Sequence, residues 1–183
     1  MKAIAKKTTV MHMYRMLGIA ISIATRAHRG QFDKGGKPYI LHPLHLMFQL
    51  MYDIELAIIA VLHDVVEDSA WTIEGLIKMG FSKRVTDALY LLTHLDDETY
   101  EEYISRISTN YDAIRVKRKD LGHNSDITRL PYKCEKDHSK NLARIGKYQK
   151  AFIKLGKAKK RFQQKLSFKA ITDQNDFRGE DHY

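Results

Sequence analysis

The sequence predicts an all-α fold in a single domain, and three observations support these two predictions. Apolar residues recur at steps of three and four along most of the chain, which is the spacing of helices with one buried face. No segment alternates apolar and polar residues over the length of a strand. The chain has 183 residues, of which 44% are hydrophobic, and this suffices for one domain with its own core.

The first predicted helix spans residues 10–28, and a loop follows it. Five residues of this helix recur at helical spacing and are expected to face inward: Met11, Tyr14, Leu17, Ile21 and Ala24. Residues 30–43 are expected to form a loop because they contain the pair Gly35-Gly36 and two prolines. Further helices are predicted at residues 43–52, 54–67, 72–79, 83–92, 99–108 and 113–129.

A long helix with a basic outer face is predicted over residues 136–166. Between Lys140 and Lys169 there are eleven Lys and Arg residues and no Asp or Glu, while apolar residues recur at helical spacing. The plain interpretation is the solvated face of a packed helix, and the alternative is a surface for nucleic acid. Residues 167–183 turn polar and are predicted to form a flexible tail. One domain is therefore expected to cover residues 1–166.

Bulk properties limit the partners and the compartment. The formal charge of +9 can attract nucleic acid, an anionic membrane or a small polyanionic substrate. Cys134 is the single cysteine, which excludes an internal disulfide and a cysteine-rich zinc site. No apolar run reaches the length of a membrane span, and the first ten residues carry no secretory signal. We therefore expect a cytoplasmic protein with no membrane contact, and the sequence leaves its oligomeric state open.

The most informative segment is residues 63–68 (HDVVED), which closes an apolar stretch. His63 and Asp64 offer a nitrogen and an oxygen ligand to one divalent ion. If the segment is helical, Glu67 lies one turn beyond His63, and Asp68 lies one turn beyond Asp64. Such ionisable groups at the end of a core-facing helix are costly to bury unless a metal ion compensates them. The alternative is a helix end that surfaces into solvent.

Two other segments can complete a site around these residues. His42 directly precedes a proline that can start a helix, so its ring is expected at a helix N-terminus. Asp120 and Asn124 lie one turn apart on a predicted helix and can face the same cleft. Two His and two Asp suit manganese, iron, zinc or magnesium. Without a metal, His42 would only cap its helix, and Asp120 would form a surface salt bridge with Lys117 or Lys119.

Four short motifs follow one another along the chain: AHRGQ at residues 27–31, GKPYILHP at 36–43, LHDVVED at 62–68 and VKRKDLGHN at 116–124. In these motifs the chain resembles the HD-domain superfamily of metal-dependent phosphohydrolases. More narrowly, it resembles the hydrolase domain of the RelA/SpoT alarmone enzymes and their free-standing small relatives. The resemblance runs from about residue 28 to residue 130 and implies a single HD-type helical bundle.

The resemblance also implies an activity and a set of site residues. The family removes pyrophosphate from the 3′ position of guanosine tetra- or pentaphosphate and regenerates GDP or GTP, usually with manganese. The family's four metal-ligand positions hold His42, His63, Asp64 and Asp120 in this chain. The acidic pair that handles the attacking water corresponds to Glu67 and Asp68. Positions that line the nucleotide pocket correspond to Lys34, Tyr39 and Asn124.

Two departures from the family pattern concern the nucleotide pocket. Asp33 stands where the family usually has an arginine that packs against the base, so either the preferred base or the strength of guanine binding changes. Residues 117–119 (KRK) replace small apolar residues before Asp120, and they either face solvent or add phosphate contacts. Among the other histidines, the expected roles are a loop brace for His28, support of a metal ligand for His123, and ordinary polar positions for His45, His94 and His138.

Three functions remain open from the sequence. The leading one is metal-dependent hydrolysis of guanosine alarmones, with a small nucleotide as the substrate. The second is hydrolysis of another nucleotide, such as an adenine alarmone, a nucleoside monophosphate or NADPH, and Asp33 favours it. The third is a non-enzymatic protein that binds nucleic acid through the basic C-terminal helix. All four ligand positions are filled, which argues against a decayed enzyme.

Overall fold

The computed structural model describes residues 2–130 and 135–176, and helices build this part of the chain. The all-α class is therefore confirmed; an isolated bridge between Phe32 and Pro38 is the β-type pairing that these residues contain. None of the described helices is long and apolar enough to cross a membrane. The helices are α1 (Lys2–Ala27), α2 (Leu41–Gln49), α3 (Ile54–Leu62), α4 (Val65–Asp68), α5 (Ile73–Lys78), α6 (Lys83–Leu92), α7 (Tyr100–Ile107), α8 (Tyr111–Asn124) and α9 (Glu135–Asp176).

Helix α3 lies at the centre of the bundle. Its residues from Leu56 to Leu62 are all buried, because α1, α2, α6 and α8 pack around it. Each large aliphatic side chain buried in this way contributes about 1.5–3 kcal/mol to stability. The Asp53 carboxylate caps the start of the helix by accepting a hydrogen bond from the Leu56 N–H at 3.2 Å. A rigid central helix therefore ends at Leu62, directly before His63.

Polar side chains cap the next helices at the positions where the sequence supplies Thr, Ser or Asn. Thr72, Ser82 and Asn110 accept hydrogen bonds from backbone N–H groups in the first turns of α5, α6 and α8. Thr99 and Glu102 form a reciprocal capping box at the start of α7. These local bonds explain why the predicted starts of these helices lie close to the observed ones.

Several predicted helix boundaries are wrong. The helix predicted over residues 54–67 is interrupted at His63-Asp64, where the Asp64 backbone turns (φ −102°, ψ −4°) before α4. The helix predicted over residues 113–129 ends at Asn124. A separate 3₁₀ turn, Ile127–Arg129, follows because the Asp126 carboxylate accepts from the Thr128 N–H at 2.9 Å and starts a new cap.

Both terminal helices are longer than predicted. Helix α1 begins at Lys2 rather than at residue 10, and α9 ends at Asp176 rather than at residue 166. No glycine or proline occurs between residues 167 and 178, so the polar sequence there does not stop the helix. Part of the predicted tail is therefore helical. Residues 177–183 of that tail, and Cys134, lie outside the described residues.

The inward face of α1 is only partly as predicted. Leu17 and Ala24 are buried and Ile21 is half-buried, but Met11 and Tyr14 are 65% and 52% exposed. The observed core residues of α1 are Met16, Leu17, Ala20, Ile23 and Ala24. The apolar spacing correctly predicted a helix. It does not show where along α1 the packing against α3 begins, which in the structure is near Met16.

Candidate metal centre and catalytic cleft

Three elements bring the predicted metal ligands together. His42 is the second residue of α2, His63 and Asp64 form the turn between α3 and α4, and Asp120 lies on α8. The side chains of His42, His63 and Asp120 are each at most 5% exposed. Because α2, α3 and α8 pack on one another, residues far apart in sequence share one buried site.

The two histidine rings present their Nε2 atoms to two carboxylates. Nε2 of His42 lies 3.2 Å from Asp120 Oδ1 and 3.8 Å from Asp64 Oδ2. Nε2 of His63 lies 2.9 Å from Asp64 Oδ2 and 3.9 Å from Asp120 Oδ1. Both Nε2 atoms are buried without a hydrogen-bond partner. Four donor atoms of the N/O type that divalent ions prefer therefore converge on one point.

Neighbouring groups fix the orientation of these rings. His63 Nδ1 donates a hydrogen bond to the Ala60 carbonyl at 2.8 Å, which leaves Nε2 with a free lone pair. His42 Nδ1 lies 2.6 Å from His123 Nδ1, and burial together with His42 and Arg129 lowers the pKa of His123 to about 4. Arg129 Nη1 also lies 2.9 Å from His123 Nδ1 and can only donate, so His123 Nδ1 is an acceptor; a His42 tautomer that directs its Nδ1–H to this atom has its Nε2 lone pair on the side of the carboxylates. This agrees with the supporting role expected for His123.

The residues present fit a divalent metal ion. The ligand atoms of His42, His63 and Asp120 all lie within 4.8 Å of one another. Lone pairs on two imidazoles that face two carboxylates repel one another unless a cation or extra protons lie between them. This cluster of His42, His63 and Asp120 can therefore hold a divalent metal, and Asp64 Oδ2 lies 2.9 Å from the Nε2 atom of His63 beside it.

Without a metal, protons compensate the cluster. Burial alone would lower the pKa of His63, but the carboxylates of Asp64 and Asp120 outweigh it and raise the pKa to about 10. Burial alone would raise the pKa of Asp120, yet Lys117 and the two histidines hold it well below its usual value. A metal ion would replace the proton on His63, so ion binding and proton release are linked at this site.

Hydrogen bonds to the carboxylates hold the two aspartates in place. The Tyr39 hydroxyl donates to Asp64 Oδ2 at 2.6 Å, and the Asn124 amide donates to Asp120 Oδ1 at 2.5 Å. Burial and the nearby Asp64 raise the pKa of Tyr39, which therefore stays a hydrogen-bond donor. Both residues also line the adjoining cavities, so they can contact a ligand there as well.

A cleft of about 440 Å³ opens directly above the cluster. Asp64 and Asp120 lie at its base, and Glu67, Lys117 and Lys147 lie on its walls. The Glu67 carboxylate accepts a hydrogen bond from the His94 N–H at 3.2 Å. Acidic and basic groups therefore face the same space, as hydrolysis of a charged phosphate ester requires.

Asp68 occupies a different position from Glu67. It is not among the described residues that line the cleft, and its backbone carbonyl accepts from the Gln31 amide at 3.2 Å. Burial, Asp64 and Glu67 raise the pKa of its carboxyl group. The structure thus brings Glu67 to the cleft and leaves Asp68 beside it, electrostatically coupled to the same carboxylates.

A second cavity of about 260 Å³ adjoins the cleft and shares Tyr39, Asn124 and Tyr148 with it. Lys34 lies in this cavity, together with Arg129 and Arg144. Burial and the nearby Arg144 lower the pKa of Lys34. All three predicted pocket residues, Lys34, Tyr39 and Asn124, therefore lie around one ligand-sized space.

Asp33 anchors the loop at this second cavity through hydrogen bonds. Its Oδ1 accepts from the N–H groups of Gly35 and Lys37, both at 2.9 Å, and its Oδ2 accepts from Arg129 at 3.1 Å. Burial alone would raise the pKa of Asp33, but these bonds lower it. Gly35 is required here, because an added Cβ would meet the Arg129 carbonyl oxygen at 2.9 Å. Asp33 therefore fixes a guanidinium group at the cavity wall.

The three basic residues before Asp120 have three different positions. Lys117 is largely buried, with its side chain 13% exposed, and pairs with Asp120 Oδ2 at 2.9 Å. Arg118 donates to the Phe152 carbonyl at 2.5 Å, and Lys119 is exposed. The sequence alternative for Asp120, a salt bridge with Lys117 or Lys119 at the surface, is correct in naming Lys117, but the pair is largely buried rather than at the surface.

The remaining histidines divide between the site and the surface. His28 is buried, and its Nδ1 lies 2.8 Å from Gln31 Oε1, so it braces the loop as expected. The exposed ring of His45 stacks on His123 at 4.1 Å between ring centroids. His94 contributes its backbone N–H to Glu67. Arg144, Lys147 and Tyr148 of α9 also line the two cavities, and sequence reasoning missed them because only the fold brings α9 to the site.

Comparisons with known proteins agree with the motifs. No protein-family profile matches the chain. It is 33% identical over 116 residues to a guanosine-3′,5′-bis(diphosphate) 3′-pyrophosphohydrolase of Haemophilus influenzae, which is 56% of this chain and 17% of that protein. It is 29% identical over 119 residues to the bifunctional (p)ppGpp synthase/hydrolase SpoT of Escherichia coli, which is 57% of this chain and 17% of that protein. The chain spans less than a fifth of the length of these curated relatives.

A solved structure shares the fold. It is a metazoan ortholog of SpoT, described as hydrolysing ppGpp and acting in starvation responses. The TM-score is 0.56 at 20% sequence identity, and the match covers 82% of this chain and 95% of that one. The chain therefore shares the helical fold of that SpoT ortholog, and it resembles RelA/SpoT-type hydrolases in sequence.

Proposed function

We propose that this protein is a metal-dependent hydrolase that removes the 3′-pyrophosphate from guanosine tetra- and pentaphosphate. The observation that carries the proposal is the pair of partnerless, buried Nε2 atoms of His42 and His63, which face Asp64 and Asp120, two carboxylates that line a cleft with Glu67, Lys117 and Lys147. The curated relatives support the reaction class, since a 3′-pyrophosphohydrolase is among them. The products are GDP or GTP and pyrophosphate.

The metal is held by His42, His63, Asp64 and Asp120, and we propose manganese as the ion. When bound, a divalent ion supplies Lewis-acid polarisation of a phosphoryl oxygen and acidifies water. The Tyr39 hydroxyl and the Asn124 amide keep the two aspartates oriented for this task. The ligand set of two nitrogens and two oxygens suits manganese, and it also suits iron or zinc.

Glu67 acts as the general base of the reaction. Glu67 lies on α4, the short helix that directly follows the turn at His63 and Asp64, and it lines the cleft. Its carboxylate accepts the proton of the attacking water. Water adds to the phosphorus attached to the ribose 3′ oxygen, and the bond between these two atoms breaks. The proton that Glu67 accepted then passes to the 3′ oxygen, and Asp68, whose pKa is raised by burial and by the nearby Asp64 and Glu67, supports Glu67 from beside the cleft.

Basic side chains neutralise the phosphates. Lys117 and Lys147 face the cleft, and Lys34, Arg129 and Arg144 face the adjoining cavity. Fixed positive charges are worth more in such partly buried clefts than in water, because the local dielectric is lower. The pyrophosphate group therefore occupies the cleft, and the nucleoside with its 5′ phosphates occupies the adjoining cavity.

A second nucleotide substrate is favoured by one specific observation. Asp33, which stands where the family usually has a base-packing arginine, holds Arg129 at the wall of the adjoining cavity. If the geometry around Arg129 prefers another base, the substrate is an adenine alarmone, a nucleoside monophosphate or NADPH. The single cysteine and a nucleotide substrate suit a reducing compartment, so we place either activity in the cytoplasm.

A substrate panel tests the proposal. The manganese-loaded protein is given ppGpp, ppApp, GMP and NADPH separately, and kcat/KM is measured for each. We expect ppGpp to be the best substrate by about tenfold or more, as a site with specific polar contacts to one base allows. A higher kcat/KM for ppApp, GMP or NADPH would reject the guanosine alarmone and select the second candidate.

A further inference from the structure

Two further cavities continue from the catalytic cleft along the groove between α7 and α9. The first, of about 460 Å³, shares Tyr100 and Lys147 with the cleft. The second, of about 390 Å³, shares Lys154 with the first and extends to Lys165. A continuous groove therefore leads away from the site, beyond the space that a single nucleotide occupies.

The groove is strongly positive. Six basic residues line its two cavities: Lys147, Lys150, Lys154, Lys157, Arg161 and Lys165. Among the described residues that line it, Glu101 is the one acid, and it belongs to the cavity nearer the cleft. Lys157, Arg161 and Lys165 are all exposed. These six basic residues against one acid make the groove a strongly positive track.

The basic residues follow one face of α9. They recur at steps of three and four residues, so each lies about one helical turn from the next. The eighteen residue steps from Lys147 to Lys165 span about 27 Å along the helix axis. Like charges at this spacing repel one another and destabilise a helix. A bound chain of negative charges would remove this repulsion. The spacing therefore suits a linear polyanion better than a single phosphate group.

Aromatic rings lie beside the charges. Tyr100 lines the first cavity, where Lys147 Nζ lies 3.7 Å from the centre of its ring, and Phe162 lines the second. The Ser105 and Ser108 side chains stand on the α7 side of the second cavity. A basic groove with interspersed aromatic rings is the arrangement by which proteins bind single-stranded nucleic acid without sequence preference.

We propose that the α7–α9 groove binds single-stranded nucleic acid, with the sugar–phosphate backbone along the basic face of α9. The solvated-face interpretation requires neither a groove nor aromatic rings along it, and the structure has both. The two cavities of the groove contain none of the residues of the metal cluster. Use of the groove does not depend on alarmone hydrolysis.

The test measures RNA binding in the full chain by fluorescence anisotropy, with a labelled mixed-sequence strand of about 20 nucleotides and salt from about 50 to 200 mM. The groove variant is Lys157→Gln/Arg161→Gln/Lys165→Gln. The matched control is Lys78→Gln/Lys140→Gln/Lys160→Gln, which removes the same charge from exposed residues that do not line the groove. Inorganic polyphosphate with the same number of phosphates serves as a competitor.

We expect the groove variant to bind RNA at least about tenfold more weakly, and the slope of log K against log salt to become shallower by about 2, since three phosphate contacts are lost. The control variant should keep the wild-type slope, and polyphosphate should compete less well than RNA. Circular dichroism checks that all three proteins are equally helical. Equal weakening in both variants, no RNA binding at low salt, or equal competition by polyphosphate would each overturn the proposal.

Discussion

His63 Nε2 lies 2.9 Å from Asp64 Oδ2, although the other nitrogen of the same ring already donates its proton to the Ala60 carbonyl. A neutral imidazole in this tautomer has no hydrogen to give to the carboxylate. The contact is therefore favourable only when a cation or a second proton lies between the two atoms. His63 and Asp64, at the end of the central helix, therefore need a positive charge between them, and a metal ion can supply it.

Replacing Glu67 should separate catalysis from metal binding. Glu67→Gln keeps the size and the hydrogen bond from the His94 N–H but removes the base, so we expect kcat to fall by about 10²–10⁴. Metal content, measured by inductively coupled plasma mass spectrometry, should stay at the wild-type level. Asp68→Asn is the matched control, and its effect should be smaller because Asp68 does not line the cleft. Wild-type turnover in Glu67→Gln would remove Glu67 from the mechanism.

Removing Lys117 should destabilise the protein, and most strongly without metal. Its ammonium pairs with Asp120 at 2.9 Å, and the two side chains are only 13% and 5% exposed. Lys117→Met leaves a buried carboxylate uncompensated, which costs about 3–5 kcal/mol. We expect the free energy of unfolding in urea to fall by this order in chelator and by clearly less with bound metal.

The double variant Lys117→Met/Asp120→Asn controls for packing at this position. It removes both charges, so it should recover part of the stability that Lys117→Met loses in chelator. An equal loss in the single and the double variant would mean that Lys117 acts through packing alone.

Asp33 should be needed for substrate binding rather than for the chemical step. Asp33→Ala removes the acceptor for two backbone N–H groups and for Arg129, so the loop at the adjoining cavity loses its anchor. We expect KM for ppGpp to rise by about tenfold with kcat nearly unchanged, as for lost uniform binding. Restoring the family's arginine with Asp33→Arg should also raise KM, because it places a second cation beside Arg129. A lower KM in Asp33→Arg would contradict this account of the pocket.

Arg84 should contribute stability that disappears in acid. Its guanidinium donates to Asp53 at 2.6 Å, to Glu55 at 2.9 Å and to Asp112 at 2.7 Å, and so joins the starts of α3, α6 and α8. Burial alone would raise the pKa of Asp53, but Arg84 and the Leu56 N–H lower it. A lowered carboxyl pKa means that the stabilisation is present above the unfolded value near 3.8 and is lost as pH falls below it.

Urea unfolding at two pH values measures this effect. Because Arg84 is partly exposed, Arg84→Met should cost about 1–2 kcal/mol at pH 7. The difference from the wild type should shrink below about pH 4, where the carboxylates become protonated. An undiminished difference at pH 3 would mean that the loss comes from packing of the arginine stem.

The proposed metal ligands could be singled out from the sequence because their residue types and order are distinctive and match the motifs of a known family. A histidine before a proline, a histidine–aspartate pair after an apolar stretch, and an aspartate one turn before an asparagine can each be identified locally. The structure brings His42, His63, Asp64 and Asp120 into one cluster. The predicted continuous helix over residues 54–67 was wrong: the chain turns at Asp64, whose carboxylate accepts a hydrogen bond from Tyr39, a tertiary contact that no local pattern encodes.

The positions of the basic residues were harder to predict, because their burial and contacts depend on how the helices pack. Lys117, Arg118 and Lys119 are consecutive, yet one is largely buried against Asp120, one packs on Phe152 and one is exposed. The three residues lie on different faces of α8, and the packing of α9 helps to decide which of these faces is covered. For the same reason the sequence did not connect residues of α9 with the cleft, although their helical spacing was visible.

The most direct measurement is product analysis after incubation of ppGpp with the manganese-loaded protein. Anion-exchange chromatography should show GDP and pyrophosphate in equal amounts. A chelator should stop their release, and His63→Ala should give neither product nor bound metal. Release of phosphate from the 5′ side, or turnover that persists after the metal has been removed, would contradict the assignment of the His42, His63, Asp64 and Asp120 cluster as the metal centre of a 3′-pyrophosphohydrolase.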